Sequence, residues 1–348
     1  MQVLKFGGTS VASAENINKV VEIVSATIKK EPAVVVVSAL GGVTDLLLGA
    51  ATLAAAGDET YREKLTVVEQ RHLDAVKQLL PVAGQSQLLS LVKKACNEIE
   101  DISNGIFLLR ELTARSKDRI ASYGEWLSSQ IIAARFNTAG VPAQWIDART
   151  LIRTNSNFTA AEVDYPVTNQ LVHQYFNKAE QALFILPGCI AADSNGITTT
   201  LGRGGSDFTA AIMAAALDAT VLEIWTDVSG MMTADPRLTS NARIIPQISY
   251  QEAMELSHFG AKVIYPPTIQ PVMGKGIPVW IKNTFAPADE GTLIEAVTRK
   301  DGDIVRGISS INNIALISLE GSGMIGIPGF SKRLFEALSS EKINVILI

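Results

Sequence analysis

The stretch Leu201-Gly-Arg-Gly-Gly-Ser-Asp-Phe-Thr-Ala-Ala211 gathers the groups best suited to chemistry. Glycines let a backbone come close to a ligand, and the amide N–H groups at a helix start attract anions. Arg203, between Gly202 and Gly204-Gly205, adds a planar two-pronged donor for carboxylate or phosphate. Ser206 and Asp207 can cap the helix, and Asp207 can instead orient a cationic ligand group. A plain glycine-rich turn with a solvated Arg203 explains the same residues equally well. Recurrence shifts that balance. Lys5, on the strand Val3–Phe6, runs into Gly7-Gly8-Thr9-Ser10, and the strand Ala33–Ser38 opens a second loop, Ser38-Ala-Leu-Gly-Gly-Val-Thr-Asp45. A strand lysine, three glycine loops, an arginine and acidic residues at strand ends are equipment for holding a polyphosphate. No Walker A pattern is present in the sequence.

The histidines His72, His173 and His258 sit in no Ser/His/Asp or metal-ligand arrangement, and each reads as structural. A kinase acting on a hydroxyl needs a base to take the proton. A carboxylate acceptor is already ionised at pH 7, so the shortage of bases favours a carboxylate. Taken alone, the residues define a phosphate-binding α/β protein.

The elements that must position these groups alternate strand, loop and helix. A helix from about Ala14 carries Ile17, Val20, Val21, Val24 and Ile28 on one face. Ala33–Ser38 is apolar on both faces, as in a parallel sheet covered by helices. Ligands bind such sheets at the carboxyl ends of the strands. Residues 59–139 read as almost wholly helical. Gly124 within them costs roughly 1 kcal/mol against Ala, which points to a close approach there. Glu125 beside it reads, on pattern alone, as a surface carboxylate. Strands follow at Ala143–Ile146, Leu183–Leu186, Gly196–Leu201 and Val221–Trp225, with a helix over Ser206–Leu217. Ser249 and Glu252 form a capping box. Pro278–Lys282 reads as the last strand of this domain.

The sequence of 348 residues has 47% hydrophobic and 19% charged residues, which fits a globular chain with a large core. A net charge of −5 argues against nucleic acid as partner. Cys96 and Cys189 are far apart and offer neither a disulfide framework nor a thiol metal site. The N-terminus lacks a signal-peptide layout, and the longest mostly apolar run, Leu46–Ala56, is too short to span a bilayer. A cytoplasmic protein without membrane contact is expected.

Near residue 300 the texture changes. Lys300-Asp-Gly-Asp303 reads as a linker, and 304–348 as strand, strand, helix, strand. Gly321-Ser-Gly-Met-Ile-Gly326 matches G-x-G-x-x-G, but no acidic residue closes the next strand, as dinucleotide binding requires. The chain stops on an uncapped strand, which suggests a fragment.

Lys5-Phe-Gly-Gly-Thr-Ser10, Gly202-Arg-Gly-Gly-Ser-Asp207, Trp225-Thr-Asp-Val-Ser-Gly230, Asp235-Pro-Arg237 and Phe259-Gly-Ala-Lys262 together resemble the aspartate kinases. The resemblance is collinear over 1–298 and implies the amino acid kinase fold, an open, mainly parallel sheet between helical layers. Residues 304–348 resemble part of an ACT regulatory domain, truncated here. Tyr250–Leu256 and Gly307–Asn313 resemble the bifunctional aspartokinase–homoserine dehydrogenases, which implies a second ACT unit and a dehydrogenase beyond residue 348.

The resemblance further implies ATP, Mg²⁺ and L-aspartate, with phosphoryl transfer to the β-carboxylate. Lys5 would stabilise the transferring phosphoryl group, with Asp207 as its catalytic companion. Gly7, Gly8, Thr9 and Ser10 would line the phosphates. Arg203 would pair with the α-carboxylate, and Glu125 and Asp207 would read the α-ammonium. Ser38, Thr44 and the turn Gly204-Gly205-Ser206 would complete the acceptor pocket. Thr226, Asp227, Met232, Arg237 and Lys262 would hold the nucleotide; Met232 stands where many relatives carry Tyr. Tyr265 replaces the family's usual His, with little effect expected. A homo-oligomer, dimer or tetramer, is implied. So is a threonine or lysine effector at a complete ACT pair, with weak or no response from a single unit. Acetylglutamate or glutamate kinase, and a non-catalytic ACT-linked amino-acid sensor, are the alternatives; Thr44, Glu125 and Arg203 together favour an acceptor with a free ammonium.

Overall fold

The computed structural model describes residues 1–258, 264–297, 305–321, 328–341, 343 and 345–347. The chain forms two compact units, Met1–Ser310 and Ile311–Ile348.

The first unit opens with β1 (Gln2–Phe6), whose five residues are all buried. Helix α1 (Ala14–Thr27) starts where the Ser13 side chain accepts the amide of Asn16. It leads to β2 (Ala33–Val37), also buried throughout. Helices α2 (Val43–Ala56), α3 (Tyr61–Leu79), α4 (Val82–Leu109) and α5 (Ala114–Thr138) follow, as the helical periodicity of 59–139 predicts. Next come β3 (Gln144–Trp145), β4 (Arg153–Thr154), α6 (Tyr165–Phe176), β5 (Leu183–Pro187), β6 (Ile190–Asp193), β7 (Thr198–Thr200) and α7 (Gly205–Ala216). The unit continues with β8 (Leu222–Thr226), β9 (Gln247–Ser249), α8 (Tyr250–His258), α9 (Gln270–Met273), β10 (Val279–Asn283) and β11 (Thr292–Glu295).

Eight strands form one sheet in the order β3-β5-β2-β1-β8-β10-β11-β9. Every pairing is parallel except β10 with β11. The two-residue period of the strands divides the core into two layers. Leu4, Phe6, Val35 and Val37 pack against α1–α5 on one face. Val3, Val34 and Val36 pack with the Ala-rich helix α7 on the other. Lys5 shares the register of Val3, so its side chain leaves β1 on the α7 side.

Three expectations change. Gly196–Leu201 does form a strand, but β7 belongs to a separate three-stranded sheet, β4-β6-β7. Asp193 makes the tight turn between β6 and β7 by accepting the amides of Asn195 and Ile197, both at 2.9 Å. Spacing reveals a strand but not which sheet receives it. Second, β10 is not the last strand: β11 returns antiparallel beside it and β9 adds an edge. Both are four residues or shorter, too brief for a periodicity to register. Third, 305–321 and the described residues after 341 form no strand; among the described residues only α10 (Phe330–Ser340) is regular in the second unit. A strand exists by pairing, and those apolar runs have no ladder partner among the described residues. The first unit extends past the polar linker to Ser310: Ile308 N–H donates to Thr233 O at 2.8 Å. Among the described residues no helix is long and apolar enough to cross a membrane.

Candidate active site

The site is assembled at the carboxyl ends of β1, β2 and β8. Gly7 N–H donates to Trp225 O at 3.1 Å, and Ser38 N–H donates to Phe6 O at 3.1 Å, so the three strand ends are stitched side by side. The first two glycine loops then touch. A Cβ at Gly41 would lie 2.9 Å from Ala12 Cβ and 3.0 Å from Gly8 O, so only glycine fits there. Gly42 caps α2 at φ +78°, a left-handed conformation that glycine adopts without strain.

Helix α7 brings the third loop to the same place from the opposite face. Its cap, Gly204, has φ +70° and sits against Tyr265 and Thr268. Behind it, a Cβ at Gly205 would lie 2.4 Å from Cys189 Sγ, and one at Gly188 would lie 2.6 Å from Ser206 Cβ. These contacts hold the first turn of α7 so that Asp207 Oδ1 meets Lys5 Nζ at 2.6 Å. The contact is charge to charge, without the direction of a hydrogen bond. Lys5 is buried, with its Nζ only 3.5 Å from where a Gly7 Cβ would sit. The ammonium therefore lies directly beneath the first glycine loop.

Helix α5 closes the second side. A Cβ at Gly124 would come within 2.9 Å of Ala39 Cβ, the close approach that a glycine inside a helix predicted. Ser128 Oγ donates to Ser38 O at 2.7 Å and fixes the helix to the second loop. Glu125 is buried, not a surface carboxylate as pattern alone suggested. Burial pushes its carboxyl up to about 7, opposed by hydrogen bonds from its own amide and that of Ala39. Its charge also helps to raise the Cys189 thiol, itself pushed up mainly by burial. The start of α5 is tied to the small sheet by Asp118. That buried carboxylate accepts the amides of Thr159 and Thr200 at 2.9 Å and the Thr200 hydroxyl at 2.6 Å.

Lys5, Gly7, Gly8, Thr9, Ser38, Thr44, Gly204, Gly205, Ser206 and Asp207 thus stand on loops and helix starts that converge. Thr226 and Asp227 lie at the end of β8 beside β1, with Thr226 Oγ1 donating to Asp227 Oδ1 at 3.2 Å. Ser10 is buried, its hydroxyl 2.7 Å from Thr284 Oγ1 and 3.4 Å from Trp225 O, so its side chain ties the first glycine loop to the ends of β8 and β10. Arg203 is exposed, with its guanidinium 5.6 Å from the Tyr265 ring centroid. Tyr265 therefore holds Arg203, a role the sequence reading did not give it.

Met232 pairs with Ile244 across an isolated bridge. Arg237 is forked onto Asp235, with contacts of 2.7 and 3.0 Å, and holds that carboxyl down at about 2. Lys262 lies outside the described residues. His72 and His173 are held by the backbone. His72 is buried with Nδ1 2.7 Å from Val68 O, and burial holds it down at about 4; His173 Nε2 sits 2.5 Å from Ala216 O. Sequence reasoning missed Arg71 on α3, which reaches the carbonyl of Gly41 in the second glycine loop and that of Ala12, just past the 3-10 turn that follows the first. A lone arginine in an amphipathic helix gives no local signal of that reach.

A lysine beneath one glycine loop, an aspartate at the start of a glycine-capped helix and a buried glutamate define a site for an anion beside a cationic acceptor. Comparison with known proteins bears on the class. The profile of the amino acid kinase family matches residues 1–283, and an ACT domain profile matches 317–348. E. coli aspartokinase III, solved in complex with aspartate and ADP, matches 100% of this chain and 76% of its own, at 32% identity and a TM-score of 0.85. The bifunctional aspartokinase/homoserine dehydrogenase 2 of Zea mays is 34% identical over 99% of this chain, and that of Haemophilus influenzae 34% over 100%. The chain spans 38% and 43% of those two relatives. This chain belongs to the amino acid kinase family and, within it, to the aspartokinases.

Proposed function

We propose that the chain catalyses transfer of the γ-phosphoryl group of ATP to the β-carboxylate of L-aspartate, giving ADP and 4-phospho-L-aspartate. The observation that carries this reading is the Lys5–Asp207 pair, which joins the strand beneath the first glycine loop to the glycine-capped start of α7. The amides of Gly8 and Thr9 cradle phosphate oxygens beside Gly7, whose own amide stays on Trp225 O, and Lys5 stabilises the charge on the phosphoryl group as it moves. Glu125 and Asp207 take the α-ammonium, Arg203 the α-carboxylate, and Ser38 and Thr44 line the acceptor side. An oxygen of the β-carboxylate attacks the γ-phosphorus, and the bond to the departing ADP oxygen breaks. The nucleophile is already ionised, so no base is required.

Thr226, Asp227, Met232, Arg237 and Lys262 hold the nucleotide in this reading. Among the described residues no three His, Cys, Asp or Glu side chains are grouped to hold a metal. Mg²⁺ would fit as an ion carried on the nucleotide's phosphates. When bound it neutralises phosphate charge.

The reading extends to a catalytic domain over 1–298 and an ACT segment over 304–348, in a homo-oligomer whose response to threonine or lysine requires a complete ACT pair. Free Cys96 and Cys189 suit the reducing cytoplasm.

The test is ADP release from Mg-ATP with L-aspartate, L-glutamate or N-acetyl-L-glutamate as acceptor, with hydroxylamine present to trap acyl phosphate. Hydroxamate from aspartate alone supports the reading. Hydroxamate only from another acceptor, or none from any, overturns it.

A further inference from the structure

We infer that Arg71 is a positioning residue that clamps the phosphate loop to the acceptor loop and sets the distance between the two substrates. Arg71 lies on α3, outside the strands and loops that form the site. One guanidinium nitrogen donates to Gly41 O at 2.7 Å, in the second glycine loop; the other donates to Ala12 O at 3.3 Å, just past the 3-10 turn that follows the first. The junction it spans is where those loops touch, since Gly41 abuts both Ala12 and Gly8. Arg71 is half-buried and makes no ion pair among the described residues, so both its charge and its fork are directed at backbone carbonyls. A planar fork holds two acceptors at a fixed separation, which a lysine ammonium on a flexible stem cannot do.

The consequence for transfer is geometric. Gly7, Gly8 and Thr9 stand on one side of the junction, and Ser38 and Thr44 on the other. The attacking oxygen and the phosphorus must be held near 3–3.5 Å, and small misplacements cost large factors in rate. With the clamp removed, each loop keeps its strand anchors, Gly7 N–H to Trp225 O and Ser38 N–H to Phe6 O. The loops survive but lose their mutual register.

This inference rests on the proposed function for its kinetic form, so the experiment has a second arm that does not. Arg71→Gln and Arg71→Lys are compared with wild type by circular dichroism melting, by calorimetric titration with Mg-ADP, and by aspartyl hydroxamate formation. For Arg71→Gln, nucleotide affinity falls roughly tenfold and kcat/KM for aspartate falls tenfold to hundredfold, with the α/β spectrum retained. Arg71→Lys keeps the charge and recovers only part. Millimolar guanidinium restores turnover in Arg71→Gln and does nothing for wild type. Unchanged nucleotide affinity in both variants would overturn the clamp even if the wild type phosphorylates no aspartate. An inactive wild type whose nucleotide affinity still depends on Arg71 would overturn the proposed reaction alone.

Discussion

Lys5 Nζ lies 2.6 Å from Asp207 Oδ1, joining the central strand β1 to the first turn of α7. Both side chains are largely shielded, so each holds the other in place while water is kept out. A phosphate entering beneath the glycine loops competes for Lys5, and an ammonium entering beside α7 competes for Asp207.

Removing one partner of a shielded pair leaves the other charge uncompensated. Lys5→Met is expected to lower kcat by about 10²–10³ and also to lower the melting temperature. Adding Asp207→Asn restores the melting temperature but not turnover. Thermal melts and ADP-release assays on the single and double variants check both parts.

Glu125 gives a pH dependence with a definite sign. Its carboxyl is pushed up from 4.5 to about 7 by burial, so the folded chain holds a proton that the unfolded chain has released. Stability from this group is fully present below about 4.5 and is lost as pH rises through about 7, by roughly 3 kcal/mol at most. An ammonium-binding carboxylate works in the opposite sense, so KM for aspartate is expected to fall between pH 6 and pH 8. Glu125→Gln removes both dependences, melts higher at pH 8 and raises KM about tenfold or more. Chemical denaturation and initial rates across that range decide it.

Gly124→Ala separates helix propensity from packing. Alanine favours a helix interior by about 1 kcal/mol, but its Cβ would stand 2.9 Å from Ala39 Cβ. The second glycine loop must move, and a net loss of about 1–2 kcal/mol is expected, with KM for aspartate raised. A gain in melting temperature with unchanged KM would show that the contact relaxes freely.

Arg203, the acceptor arginine of the proposed site, lies over the Tyr265 ring. Tyr265→Phe is expected to keep wild-type kinetics, because the face of the ring carries the contact with Arg203. Tyr265→Ala frees Arg203 and raises KM for aspartate severalfold with kcat little changed. Steady-state kinetics on the two variants check this.

Much of this was legible in the chain because it is local. Ala33–Val37, apolar at every position, could only be a covered parallel strand, and Ser249 with Glu252 forms its capping box as spaced. Lys5, the glycine loops and Asp207 carry their chemistry in their own neighbourhoods. What was not legible depends on partners distant in sequence. Thr198–Thr200 looks like any β-branched strand until β6 claims it for the small sheet. Ser10 reads as a phosphate donor, and only the fold shows its hydroxyl beside Thr284. Arg71 and Tyr265 sit in unremarkable segments, and only the fold brings them to Gly41 and Arg203. Glu125 needed a resemblance, because burial of a helix carboxylate is decided by what packs on it.

The most direct measurement is a crystal structure of the chain with Mg-ADP and L-aspartate bound. It is expected to place the diphosphate on the amides of Gly8 and Thr9, against Gly7, with Lys5 Nζ turned toward it. The aspartate ammonium is expected between Glu125 and Asp207, with its α-carboxylate on Arg203. A nucleotide bound away from the glycine loops, with the Lys5–Asp207 contact still at 2.6 Å and aspartate remote from Glu125, would contradict it.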